Sequence, residues 1–215
     1  MHVVIAGGHG QIALLLEHRL VHNGDEVVGL VRKVDHVTDL ERIGANAAVV
    51  DLESCSVDEM AAALTGSEAV VFAAGAGPGS GGARKETVDR DGAALLADAA
   101  EQAGIRRYVL VSSMGVDEAD PDSEDAFQVY LRAKKEAEED LRARDLDWTI
   151  VRPGRLTDEP ATGRVQLADS VERGDIPRDD VAAVLLAVLE APDTSGKVLE
   201  LVGGDDEVGE AVAAA

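Results

Sequence analysis

The 215 residues carry 42 acidic against 20 basic side chains, a formal net charge of −22, and a field of that sign argues against nucleic acid and anionic membranes as partners. A lone cysteine, Cys55, excludes an internal disulfide framework and fits a reducing compartment, while no signal-like N-terminus and no run of about 18 apolar residues is present, so a cytoplasmic protein is expected. With 46% hydrophobic residues the chain can order as one domain, residues 1–215, and its dispersed acids and few lysines resemble the surface chemistry of halophilic proteins.

The chain opens with an apolar run, His2 to Ala6, that leads into Gly7, Gly8 and Gly10. A helical pattern follows at once, with Ile12, Leu15, Leu16 and Leu20 on one face. This is a strand, a tight glycine turn and a helix, and it suits a pyrophosphate, because the first helical turn leaves backbone N–H groups unpaired and the helix dipole adds positive charge there. Gly8-x-Gly10-x-x-Ala13 fits the dinucleotide fingerprint, with Gly8 for the turn, Gly10 for close backbone approach and Ala13 for helix against strand. Asn23-Gly24 ends the helix, and a second strand from Glu26 to Val31 finishes on Arg32-Lys33. An acid at that point would bind the free 2′-hydroxyl of NAD, so two cations there point to the 2′-phosphate of NADP; a merely solvated pair is the alternative.

Thr38-x-x-Glu41 reads as a capping box for a short helix closed by Gly44, and Asn46 to Val50 as a third strand. Asp51-Leu52, just past it, is placed to accept from the adenine amino group or simply to turn the chain. Ser56-x-x-Glu59 caps a further helix, and Glu68 to Ala74 is an almost wholly apolar fourth strand, as in a parallel sheet covered on both faces. The glycine-rich stretch Gly75 to Ala83 is either backbone passing close to a cofactor or a flexible surface loop. A long helix from Arg84 to Ala103, with Val88, Leu95, Leu96 and Ala99 inward, precedes a fifth strand from Arg106 to Ser113. Strands and helices alternate throughout, which predicts an α/β fold: a doubly wound parallel sheet in three αβα layers.

After a polar loop, Met114 to Glu124, a helix from Asp125 to Arg144 carries Tyr130 and Lys134. Four residues apart, they share a helix face, and an ammonium beside a phenol favours proton transfer by it; a half-buried tyrosine beside a surface lysine is the plainer alternative. Asp147 to Val151 is a sixth strand, and the turn Arg152-Pro153-Gly154-Arg155-Leu156 is placed to wall a nicotinamide. Residues 157–175 have little pattern and are the expected substrate cap. Ile176 onward starts an apolar helix to Ala191, Lys197 to Val202 is a last strand, and the acidic, alanine-rich tail is expected to fray. The histidines, His2, His9, His18, His22 and His36, lack ligand spacing, so no metal is implied.

In order along the chain, GGHGQIA, LVRK, VVDLES, FAAGAG, YVLVSSMG, YLRAK, WTIVRPGRLTDEP and IPRDDVA resemble the atypical short-chain dehydrogenase/reductases of the NAD(P)H-binding, epimerase/dehydratase-like group. The resemblance covers nearly the whole length and implies a Rossmann-like fold. It implies that Gly7, His9, Gly10, Gln11 and Ile12 hold the pyrophosphate, Arg32 the 2′-phosphate, and Asp51 and Leu52 the adenine. Ala73, Ala74 and Gly75 would pass beside the ribose, and Pro153, Gly154, Arg155 and Leu156 would close over the nicotinamide. Tyr130 and Lys134 match the group's Tyr-x-x-x-Lys pair. The catalytic serine falls on Ser112, on Ser113 or one residue later at Met114; Ser113 is taken as the catalytic partner and Ser112 as a cofactor contact.

Two departures stand out. His9 replaces a common Thr or Ser, which changes a contact and leaves the turn intact, and the short chain has little room for the substrate domain of sugar-nucleotide epimerases. The resemblance therefore implies an NADP-dependent oxidoreductase, with NAD as the lesser cofactor, acting on a small carbonyl or alcohol. Tyr130 would donate the proton, Lys134 would support it and grip the ribose, and Ser113 would hold the oxyanion. A non-catalytic NADP-sensing module and a flavin or quinone reductase are the alternatives, and neither needs Tyr130.

Overall fold

Three apolar runs with no solvent face make the centre of the molecule: β1 (His2–Ala6), β4 (Ala69–Phe72) and β5 (Arg107–Val111) are buried along almost their whole length. Strands covered on both sides read this way. In this computed structural model, which describes residues 1–77 and 79–215, β2 (Glu26–Val31) and β3 (Asn46–Val49) extend the sheet beyond β1. On the other side, β6 (Asp147–Pro153) and β10 (Lys197–Gly203) extend it beyond β5. All of these pair in parallel. Antiparallel pairing among the described residues is confined to the far edge, where the reversed strand β8 (Arg164–Ala168) lies between β10 and β11 (Asp206–Glu207), giving the order β11-β8-β10-β6-β5-β4-β1-β2-β3.

One face of the sheet is covered by α1 (Gln11–Asn23) and α7 (Arg178–Glu190), the other by α3 (Val57–Ala63), α5 (Gly92–Ala103) and α6 (Ala126–Arg142). The expected αβα architecture is therefore present. Because β1 pairs with β2 on one side and with β4 on the other, the connections leave in opposite directions, and a crevice opens at the carboxyl ends of these strands. No helix of the described residues is long and apolar enough to cross a membrane.

Several local expectations need correction. The Thr38 capping box does not form: α2 (Val37–Arg42) follows directly from a 3₁₀ turn, and the residue before it, His36, is itself helical (φ −79°, ψ −19°), so no extended residue is available to cap. The Ser56 box does form, Ser56 N–H donating to Glu59 Oε2 at 2.8 Å and Glu59 N–H to Ser56 Oγ at 3.3 Å. The long helix starts earlier and is not uniform. It consists of α4 (Gly82–Lys85), a π-helical stretch Glu86–Asp91, and α5; Pro78, in the glycine-rich stretch before it, lies outside the described residues.

The tail does not fray, because α8 (Val208–Ala214) packs on α7 and buries Ala211 and Val212, side chains small enough for close helix contact. Nor is 157–175 one irregular cap. It contributes β8 to the main sheet, and β7 (Arg155–Thr157) pairs with β9 (Asp175–Pro177), which brings the two ends of the segment together.

Candidate active site

The turn after β1 is built from backbone. Gly7 has φ +85° and a Cβ on it would lie 2.5 Å from Ala74 Cα, so the left-handed residue of the turn is Gly7, one residue before the predicted Gly8. Gly8 instead lies flat on β2, where a Cβ would come within 2.7 Å of Gly29 Cα. Gly10 N–H closes the turn on Gly7 C=O at 2.8 Å, and Gly10 is the N-cap of α1 with no side-chain cap. The unpaired N–H groups of a 13-residue helix therefore start at the cleft.

This cleft, about 280 Å³, is lined by the turn, by Arg32, by Asp51 and Leu52, and by Ala73 to Ala76. A cradle that admits no Cβ, at a helix N-terminus and a topological switch point, fits a nicotinamide dinucleotide. Ile12 lines the adjoining cavity, whereas Gln11 is exposed and lines neither. Beneath the turn, Glu17 of α1 is wholly buried with neither carboxyl oxygen hydrogen-bonded among the described residues, and burial pushes its carboxyl up to about 9.

At the outer end of the cleft, Arg32 does not stand alone. Its guanidinium is 3.5 Å from Glu53, which also pairs with Arg84 Nε at 3.1 Å and accepts from Thr87 Oγ1 at 2.8 Å. The Thr87 bond first, then Arg84 and Arg32, hold the Glu53 carboxyl below the usual range. Arg84 and Glu53 both line the cleft and neither was singled out from sequence; the signal was a cation after a glycine-rich loop, in a chain short of cations. His9 stacks on His36 with ring centroids 3.7 Å apart and donates from Nε2 to Asp39 Oδ2 at 2.9 Å, which ties the turn to α2. Desolvation, then the neighbouring His9 and Lys33, hold His36 below the usual histidine value.

Ala73, Ala74 and Gly75 join this cleft to a smaller cavity lined by Ser112, Ser113, Tyr130, Lys134, Pro153, Gly154 and Leu156. Tyr130 and Lys134 come together as their spacing predicts, but the surroundings of Lys134 are not those of a surface lysine. It is 3% exposed, donates to Val111 C=O at 3.1 Å and Ala74 C=O at 3.3 Å, and lies 3.3 Å from Asp89 Oδ1. Its Nζ is 5.9 Å from the Tyr130 ring centroid. The charge expected to act on the phenol is thus shared with a fully buried carboxylate, itself fixed by Ala76 N–H at 3.1 Å. Sequence reasoning missed Asp89 because the π-helical stretch shifts the helical phase there, and such stretches mark functional sites.

The two serines separate. Ser112 is 5% exposed and donates to Glu138 Oε1 at 2.5 Å, and Glu138 is in turn held by Arg152 at 2.6 Å. Ser113 opens into the cavity, its hydroxyl on the neighbouring Met114 C=O at 3.1 Å. Glu138 was also missed, although Tyr130, Lys134 and Glu138 recur at four-residue intervals along one face of α6. The other tyrosine, Tyr108, is core: it is 1% exposed and its hydroxyl donates to Ala93 C=O at 3.0 Å. Beyond Tyr130 the cavity widens to a pocket of about 640 Å³ walled by Ser113, Met114, Phe127, Arg155, Leu156 and Arg173. Arg155 is exposed and pairs with Asp175 through both its Nε, at 2.7 Å, and its Nη2.

A family model for NAD(P)H-binding proteins matches residues 7–192. Over 213 residues, 99% of each chain, the sequence is 39% identical to YhfK of Bacillus subtilis, which is named an uncharacterised sugar epimerase. That name differs in substrate from the expectation drawn from chain length. A Bacillus halodurans structure provisionally named a NAD-dependent epimerase/dehydratase superposes with a TM-score of 0.93 at 34% identity, covering 100% of both chains. The oxidoreductase ylbE of Lactococcus lactis superposes with a TM-score of 0.87 at 29% identity, over 100% of this chain and 96% of that one. With its fold, its glycine turn and these likenesses together, the chain belongs to the NAD(P)H-binding family, in its epimerase/dehydratase-like group.

Proposed function

We propose that the protein is an NADP-dependent oxidoreductase acting on a small carbonyl or alcohol, with Tyr130 as the proton donor in reduction. The observation that carries this reading is the position of Tyr130: it lies in the passage between the glycine-turn cleft and the open pocket, beside a buried Lys134. When bound, a reduced nicotinamide dinucleotide would supply the hydride for the substrate carbon. Gly7, His9 and Gly10 hold the pyrophosphate, Asp51 and Leu52 the adenine, and Arg32 with Arg84 the 2′-phosphate, Glu53 keeping both guanidiniums in place until it is bound.

Lys134 staples α6 to the ends of β4 and β5 through Ala74 and Val111, which fixes Tyr130 over the passage and places an ammonium where it would meet the ribose of a bound cofactor. Ser113 steadies the substrate oxygen that the Tyr130 hydroxyl protonates. Pro153, Gly154 and Leu156 exclude water on one side, and the end of the cap segment, Arg173 to Asp175, on the other.

The test is Tyr130→Phe. Carbonyl reduction is expected to fall by about 10²–10⁴ while the NADPH dissociation constant changes by less than about twofold. An undiminished rate overturns the proton-donor role and favours a flavin or quinone reductase, in which the phenol is dispensable.

A further inference from the structure

The chain has two Phe, two Tyr and one Trp. Phe72 and Tyr108 are buried in the core, as aromatic side chains with so much apolar area normally are. Phe127 is 57% exposed, and it is not isolated: its ring lies 6.0 Å from that of Tyr130, inclined by 28°, on the wall of the same pocket. A second unspent group lines the same pocket. Arg173 donates from Nη2 to Glu118 at 2.7 Å, and its Nε and Nη1 have no partner among the described residues, whereas Arg155 is held bidentately by Asp175. The Arg173 guanidinium is also seated against the backbone of Gly115, where a Cβ would lie 3.1 Å from Nη2.

We infer that this pocket recognises an aromatic or conjugated carbonyl compound that carries a carboxylate, the ring stacking on Phe127 and the carboxylate binding Arg173. The inference rests on Tyr130 marking the reacting end of the pocket. A flat π-system is what a stacked aromatic wall accepts best, and a guanidinium with open donors in its plane matches a carboxylate. The 640 Å³ available holds a ring and its substituents together. Glu118, exposed and bonded to the guanidinium through one nitrogen only, competes with the ligand without filling its place.

Titration calorimetry of 4-carboxybenzaldehyde and benzaldehyde, with and without NADP⁺, tests this without requiring turnover. The acid is expected to bind about tenfold more tightly than benzaldehyde at low salt, Arg173→Ala to abolish that margin, and Glu118→Gln to widen it. Phe127→Ala is expected to weaken both aldehydes alike. Each of these side chains is exposed, so folding is not at stake. Equal binding of the two aldehydes, no binding of the acid, or a margin that survives Arg173→Ala overturns the inference. A parallel turnover assay of the parent and Tyr130→Phe with NADPH separates the two readings: a carboxylate margin with reduction undiminished in Tyr130→Phe refutes the proton-donor role and leaves recognition standing, while no margin with reduction lost in Tyr130→Phe does the reverse.

Discussion

The two ends of the cleft are made of different material. The turn end is backbone: Gly7 packs against Ala74 and Gly8 against Gly29 so closely that no side chain fits, Gly10 closes the turn on Gly7 C=O, and β1, the turn and α1 are adjacent in sequence. The Tyr130 end is side chains delivered from four places, Asp89 from the π-helical stretch, Ser113 after β5, Tyr130 and Lys134 from α6, and Leu156 from β7. Backbone fixed by local sterics needs no electrostatic balance. A buried ammonium does, and its balance comes from a residue 45 positions away in the chain.

The sharpest way to break that comparison is Asp89→Leu. If the Tyr130 end depends on its buried pair, the loss leaves the Lys134 ammonium uncompensated and costs about 3–5 kcal/mol in urea unfolding, with Asp89→Leu/Lys134→Met recovering much of it. A loss near zero would mean that the Ala74 and Val111 carbonyls alone satisfy the lysine.

The turn end has one electrostatic liability of its own, Glu17. Its carboxyl stays protonated in the folded chain up to about 9, against about 4.5 when unfolded. The stability it contributes is complete below about pH 4.5 and declines as pH rises from there towards 9, by about 3 kcal/mol at pH 7. Glu17→Gln is therefore expected to match the parent near pH 4.5 and exceed it increasingly up to pH 9, as read by denaturant unfolding across that range. A difference that does not grow with pH would show that the carboxyl ionises freely in place.

The smallest expected effect lies at the outer rim, where solvent screens charge. Arg32→Ala is expected to raise the NADPH dissociation constant about tenfold and leave that of NADH unchanged, by fluorescence titration. Equal weakening of the two would assign Arg32 to the adenosine instead of the 2′-phosphate.

Much of this was legible in one dimension, for a physical reason. A strand buried on both faces must be apolar throughout, as β4 is, and a helix face repeats every three to four residues, so Tyr130 and Lys134 could be paired by counting. The failures also have causes. The Thr38 box looks correct as a four-residue pattern, but a 3₁₀ turn feeds the helix from behind. Asp89 is one of 42 acids, and nothing local distinguishes the one that a π turn swings inward. Ser112 and Ser113 are chemically alike, and only the position of Glu138 commits the first to the interior.

By itself the sequence determined the αβα class, the glycine turn and the helix face that bears Tyr130, because each depends on sterics and periodicity within a few residues. Tertiary structure decided that Gly7 and not Gly8 takes the left-handed turn, since Ala74, in the segment after β4, crowds it. It also decided that Lys134 is neutralised by Asp89 and that Glu53 gathers Arg32 and Arg84. Charge and close packing act through space, and the partners they select lie far apart along the chain.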